Sequence, residues 1–95
     1  MAVYIVVNVD VQDAAAYEPY KAAVPAIIRK HGGEYLARGG AVEVLEGDWQ
    51  PKRVAILKFP TRAAAHAFLG DPEYKPLKEL RQRIAPTQMM CVEGL

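Results

Sequence analysis

VYIVVNV, residues 3 to 9, decides what kind of fold this chain can adopt. Its β-branched residues read as a strand, and side chains alternate across a strand. Val3, Ile5, Val7 and Val9 therefore share one face, and Tyr4, Val6 and Asn8 share the other. Both faces are largely apolar, so both must be covered, which makes this a central strand. KRVAILKFP, residues 52 to 60, repeats the pattern, with Val54 and Ile56 on one side and Ala55, Leu57 and Phe59 on the other. Pro60 stops it, having no N–H to give to a ladder.

Between these two strands, DAAAYEPYKAAVPAIIRKHGG, residues 13 to 33, reads as a helix. Asp13 can cap its start, and Tyr17, Tyr20, Val24, Ile27 and His31 recur at helical steps as one stripe. Gly32 suits the left-handed position past its end. Pro19 and Pro25 each remove a donor and crowd the preceding turn, so a kinked or broken helix is expected. EYLARGGAVEVLEG, residues 34 to 47, is strand-like, with a bulge or sharp bend permitted at Gly39-Gly40. EGDWQP then forms the loop of a hairpin. Four of the seven glycines thus flank one five-residue segment that ends in Arg38, which lets the backbone change direction on both sides of it.

Beyond Pro60, Thr61 caps a short helix, RAAAHAFLG, with Ala64, Ala65, Phe68 and Leu69 on one side. Asp71-Pro72 is a second start signal, and a helix restarts at Pro76. Leu77, Leu80 and Ile84 form its expected buried stripe, with Arg81 on the margin; Pro86 ends it. TQMMCVEGL, residues 87 to 95, is the last strand. The order β-α-β-β-α-β gives an α+β fold, a ferredoxin-like plait with an antiparallel four-stranded sheet, in a single domain spanning residues 1–95. Helices can cover only one face of that sheet. The other apolar face needs a partner, and a second copy of the chain is the simplest, so a homodimer is expected. Small size points the same way, because a chain of 95 residues buries only roughly 60 to 65 % of its unfolded surface.

Twelve basic and eleven acidic residues leave a net charge of +1, without the basic excess that nucleic acid binding requires. Cys91 is the only cysteine, so no intrachain disulfide forms, as suits a reducing cytoplasm. AAVPAII is far too short to span a membrane, and the first ten residues lack the basic start and cleavage site of a signal peptide. A cytoplasmic protein is expected, with no membrane or nucleic acid partner.

RGGAVEVLEGDW, then a strand ending in FP, then EYKPLKELRQ and a terminal VEG, together resemble a family of small bacterial proteins. This is the domain-of-unknown-function family thirteen-thirty, within the dimeric α/β-barrel superfamily; the resemblance runs from Tyr4 to Gly94. It implies a ferredoxin-like protomer and a dimer whose sheets pack face to face, with pockets between sheet and helices or inside the barrel. It implies no agreed activity. The superfamily includes isomerases, lyases and cofactor-free oxygenases, an analogy at the level of fold.

Five residues are candidates for binding a ligand: Asn8, Arg38, Glu46, Tyr74 and Arg81. Arg38 and Glu46 lie on the two arms around Gly39-Gly40. They read either as an anion-binding guanidinium oriented by a carboxylate, which could also serve as a base, or as a structural ion pair. Asn8, on the face assigned to the barrel interior, can hydrogen-bond a ligand or hold a neighbouring strand. Tyr74 and Arg81 fall in the second-helix region that recurs in the resembling family, where Arg81 pairs with a carboxylate or faces a pocket. Tyr17 and Tyr20 read as packing, and Trp49 as a lid or a dimer contact. His31 complements the helix dipole and His66 faces outward; with no ligand spacing between them, no metal site is expected. Cys91 reads as a small buried hydrophobe. DPEYK loosely matches a stretch that precedes the axial histidine of haem-degrading relatives, but PLKELRQR carries no histidine, which argues against haem. HGG and RGG lack the spacing of phosphate-binding loops, so no cofactor is called for. No catalytic residue is assignable. Two functions follow: binding of a small anionic or aromatic metabolite, extending to a cofactor-independent enzyme of the isomerase, lyase or oxygenase type, or a non-catalytic dimeric binding or structural module.

Overall fold

Seven elements run in the order β1 (Val3–Val9), α1 (Ala14–Lys30), β2 (Glu34–Arg38), β3 (Arg53–Phe59), α2 (Arg62–Leu69), α3 (Lys75–Ile84) and β4 (Thr87–Glu93) in the computed structural model, which describes residues 1–95. The central strand is where its two apolar faces place it. β1 pairs antiparallel with β3 on one side and β4 on the other, so that Ile5 stands opposite both Leu57 and Cys91. β2 adds outside β3, giving the order β2-β3-β1-β4 of the ferredoxin-like plait.

The helices pack on the face that carries Val3, Ile5, Leu57 and Phe59. Val24, Ile27 and Ile28 of α1, Ala65 and Phe68 of α2, and Tyr74 ahead of α3 close over those strands to form one core. Each large side chain so buried contributes on the order of 1.5–3 kcal/mol, so this cluster dominates the stability of the protomer. The local signals act as expected. Asp13 Oδ1 accepts from the Ala16 N–H at 3.0 Å, and Thr61 Oγ1 from the Ala64 N–H at 3.0 Å. His31 caps the end of α1, and Gly32 follows at φ +77°. The His31 imidazole then donates from Nε2 to Asp71 Oδ2 at 2.7 Å, and Lys30 Nζ lies 3.0 Å from the same oxygen. The end of α1 is thereby tied to the turn that leads into α3.

Four expectations need correction. α1 is not broken: it continues through Pro19 and Pro25. One missing bond in each case does not outweigh the packing of Val24, Ile27 and Ile28 against the sheet. The strand expected over 34–47 ends at Arg38, and residues 39–52 leave the sheet. Alternation alone does not make AVEVL a strand: Gly39 N–H still bonds the Val54 carbonyl at 2.8 Å, and at φ +72° Gly39 then turns the chain away from β3. The sharp bend permitted at Gly39-Gly40 is present, with Gly39 at φ +72° as the chain leaves the sheet, and a separate register shift lies at Leu36, between the Tyr35 and Ala37 pairings. Cys91 is exposed, because no helix covers the edge strand β4. Finally, Arg81 is the buried residue of α3, while Leu77, Leu80 and Ile84 are only half-buried.

Candidate functional site: a cationic cavity between sheet and helices

The register of the sheet puts two arginines on its helix-covered face. Arg53 opens β3 in step with Ala55, Leu57 and Phe59, and Arg38 ends β2 directly opposite Ala55. α3 supplies Arg81, only 5 % exposed. These three guanidinium-bearing residues and Tyr17, Tyr20, Tyr35 and Tyr74 line a cavity of about 40 Å³ between the sheet and the helices. A single water needs roughly 10–15 Å³ by this measure, so the space suits a molecule of few heavy atoms. Most of the remaining wall is apolar, and no Asp or Glu lines it.

Each arginine is held differently. Arg38 Nη2 donates to the Lys21 carbonyl at 2.6 Å, and its guanidinium carbon lies 4.7 Å from the centre of the Tyr35 ring. Lys21 is four residues before Pro25, the position whose carbonyl a proline leaves without a helical donor. Arg38 therefore supplies from the sheet the bond that Pro25 cannot make. Arg53 rests over Gly39: a Cβ there would come within 2.2 Å of Arg53 Nη1, and Gly39 has φ +72°. Gly39 is thus required twice, for its left-handed backbone and for the room it leaves this guanidinium. Arg81 has a buried Nε–H that no protein group accepts from. Leaving such a donor unmet costs about 1–3 kcal/mol, and more for a charged group. No carboxylate pairs with Arg53 or Arg81.

The tyrosines form the rest of the lining. Tyr20 and Tyr74 share a hydroxyl–hydroxyl bond of 2.8 Å, and Tyr17 stacks on Tyr20 with ring centres 5.0 Å apart. Burial raises the Tyr20 phenol far above its ordinary range, and the Tyr74 hydroxyl reinforces this. Burial also raises Tyr17 and Tyr35, opposed by Arg53 and Arg81 at the former and by Arg38 and Arg53 at the latter. All three phenols remain protonated hydrogen-bonding groups at neutral pH.

The five candidate residues divide between two places. Arg38, Tyr74 and Arg81 meet in this cavity. Asn8 and Glu46 line a separate pocket of about 430 Å³ beyond the other face of the sheet, with Val6, Val44, Trp49 and Ile56. There Asn8 Oδ1 accepts from the Lys52 N–H at 2.8 Å and so anchors the chain entering β3. Arg38 and Glu46 are not brought together: one faces the helices, and the other sits in the loop that left the sheet. Trp49 is 69 % exposed at that pocket's edge. Of the histidines, His31 is engaged with Asp71, whose carboxyl the His31 bond, the Glu73 N–H and Lys30 hold well below the usual range, and His66 is exposed.

Arg53, Tyr17, Tyr20 and Tyr35 were not among the candidates. Arg53 was within reach of the sequence, since counting back by twos from Phe59 puts it on the helix-covered face. Tyr17 and Tyr20 read as packing and do pack, but their rings also wall the cavity.

The sequence matches the family model described as Domain of unknown function (DUF1330) over residues 2–95. The chain belongs to this family. No curated protein matches it. Among solved structures, this DUF1330 chain is similar to a protein of unknown function from Rhodopseudomonas palustris, with 21 % identity and a TM-score of 0.80 over 99 % of this chain and 82 % of that one. It is also similar to SnoaB, a cofactor-independent oxygenase from Streptomyces nogalater, with 14 % identity and a TM-score of 0.68 over 99 % of this chain and 93 % of that one. A third is a dimeric ferredoxin-like protein of unknown function from Jannaschia, with 13 % identity and a TM-score of 0.66 over 99 % of this chain and all of that one. These likenesses establish the ferredoxin-like α+β fold for the DUF1330 chain. No helix of it is long and apolar enough to cross a membrane.

Proposed function

We propose that this chain is a cytoplasmic homodimer that binds a small anionic metabolite in the cavity between sheet and helices. The observation that carries the reading is a cavity lined by Arg38, Arg53 and Arg81 that no carboxylate enters, with Arg81 buried and its Nε–H without an acceptor. An anion accepting from that N–H removes the cost of its burial and finds aromatic and aliphatic walls for its body. Homodimerisation rests on the uncovered sheet face, where Met90 is 58 % and Val92 51 % exposed, and on the dimeric description of the Jannaschia neighbour.

A second reading, catalysis without a cofactor, is favoured by the description of SnoaB as a cofactor-independent oxygenase. In this chain the same arginines would then stabilise an enolate or phenolate formed from the bound molecule.

Calorimetric titration with benzoate and malonate tests the binding reading. At least one is expected to bind, with affinity falling tenfold or more in Arg81→Gln. Absence of binding by both, or unchanged affinity in the variant, would sink it.

A further inference from the structure

We propose that the ligand of this cavity is a short dianion, a dicarboxylate of about two to four carbons, gripped at one end by Arg53 and at the other by Arg81. This rests on the reading of the cavity as an anion site and adds the charge, length and grip of the ligand.

Four cationic residues line the cavity, and two of them are already committed. Lys21 turns its ammonium to Glu18, with Nζ 3.2 Å from Oε1. Arg38 is bound to the Lys21 carbonyl and lies over Tyr35. Arg53 and Arg81 remain, neither in an ion pair, and both lie among residues that contribute no negative charge. They come from opposite walls, Arg53 from the first residue of β3 above Gly39 and Arg81 from α3. One carboxylate would match one fork and leave the other, the buried Arg81 or the half-buried Arg53, without an anion, whereas a two-headed anion matches both. The Tyr20–Tyr74 hydroxyl pair uses one proton internally and keeps the second as a donor for a ligand oxygen. A cavity of about 40 Å³ limits the spacer to a few atoms. Arg38 is a positioning residue, fixing α1 against β2 beside the site.

The test is calorimetric titration of the native protein with oxalate, malonate and succinate against acetate and benzoate at constant ionic strength, with the Arg81 Nε–H resonance followed by NMR. The best dicarboxylate is expected to bind at least tenfold more tightly than acetate and to shift that resonance. Arg53→Gln and Arg81→Gln are each expected to remove the preference, and Arg53→Lys and Arg81→Lys to retain part of it. Acetate or benzoate binding as tightly as every dicarboxylate, with Arg81→Gln weakening all of them, would overturn the dianion and leave the anion site standing. Heat of binding without movement of the Arg81 resonance would place the anions elsewhere and overturn both. No binding by any of the five would also overturn both, and the wild-type resonance keeps the question answerable if a variant fails to fold.

Discussion

Each face of the sheet carries its own exception to the usual distribution of side chains. On the helix-covered face one arginine enters the interior: Arg81 is as buried as Leu57, while Arg53 is half-buried and Arg38 exposed. On the opposite face, Met90 and Val92 stand in the open, and Leu45 and Trp49 of the loop beside it are more exposed still. Apolar groups left in water and cations taken out of it both cost free energy. Each is intelligible if something absent from the isolated protomer completes it, an anion on one side and a second copy on the other. The faces therefore call for different experiments, one on ligands and one on mass.

The largest effect should come from charging the open face. In Val6→Glu, a carboxylate is forced into the proposed dimer contact without a partner, at a cost of about 3 kcal/mol or more, roughly a hundredfold in the dimer Kd. Light scattering at micromolar concentration should move from dimer to monomer while far-ultraviolet circular dichroism stays constant. A monomeric wild type, or a variant that stays dimeric, would remove the second copy from the comparison.

On the helix side the expected effect is smaller and has the opposite sign. Arg81→Met removes a buried charge whose Nε–H has no acceptor and keeps most of the side chain's length. The variant should gain about 1–3 kcal/mol in urea unfolding while losing anion binding. A loss of stability would mean that Arg81 is a structural member of the core after all. Smaller again is the contrast within the glycine pair. Gly39→Ala strains a φ of +72° and drives Cβ into the Arg53 guanidinium, whereas a Cβ on Gly40 meets nothing within 4 Å. Gly39→Ala should cost about 1 kcal/mol and weaken anion binding, with Gly40→Ala near neutral in both. Equal effects at the two positions would show that Arg53 is not seated over Gly39.

Much of the architecture was legible because it is periodic. Alternation in VYIVVNV and KRVAILKFP located the central strands, and Asp13 and Thr61 located two helix starts. The same logic overran at AVEVL, since alternation reports a willingness to form a strand and not whether a neighbour is present to pair with it. The site was less legible for a related reason. Periodicity marks apolar positions and treats an arginine as a margin, so Arg81 was placed beside the buried stripe instead of at its centre. The contacts that assemble the cavity join Tyr20 to Tyr74 and Arg38 to Lys21 across the fold, and no local pattern announces them. Arg38 and Glu46, close in sequence around the glycine pair, were separated when the loop left the sheet.

The bond from Arg38 to the Lys21 carbonyl has a consequence for how this sequence can vary. A proline at position 25 creates the vacancy that the arginine at position 38 fills, so the two substitutions are not independent. Losing Pro25 alone would let residue 25 bond the Lys21 carbonyl directly, with Arg38 still over Tyr35; losing Arg38 alone would leave that carbonyl to water. The helix breaker and the strand-end arginine thus meet at one carbonyl, and a change at either is felt at the other.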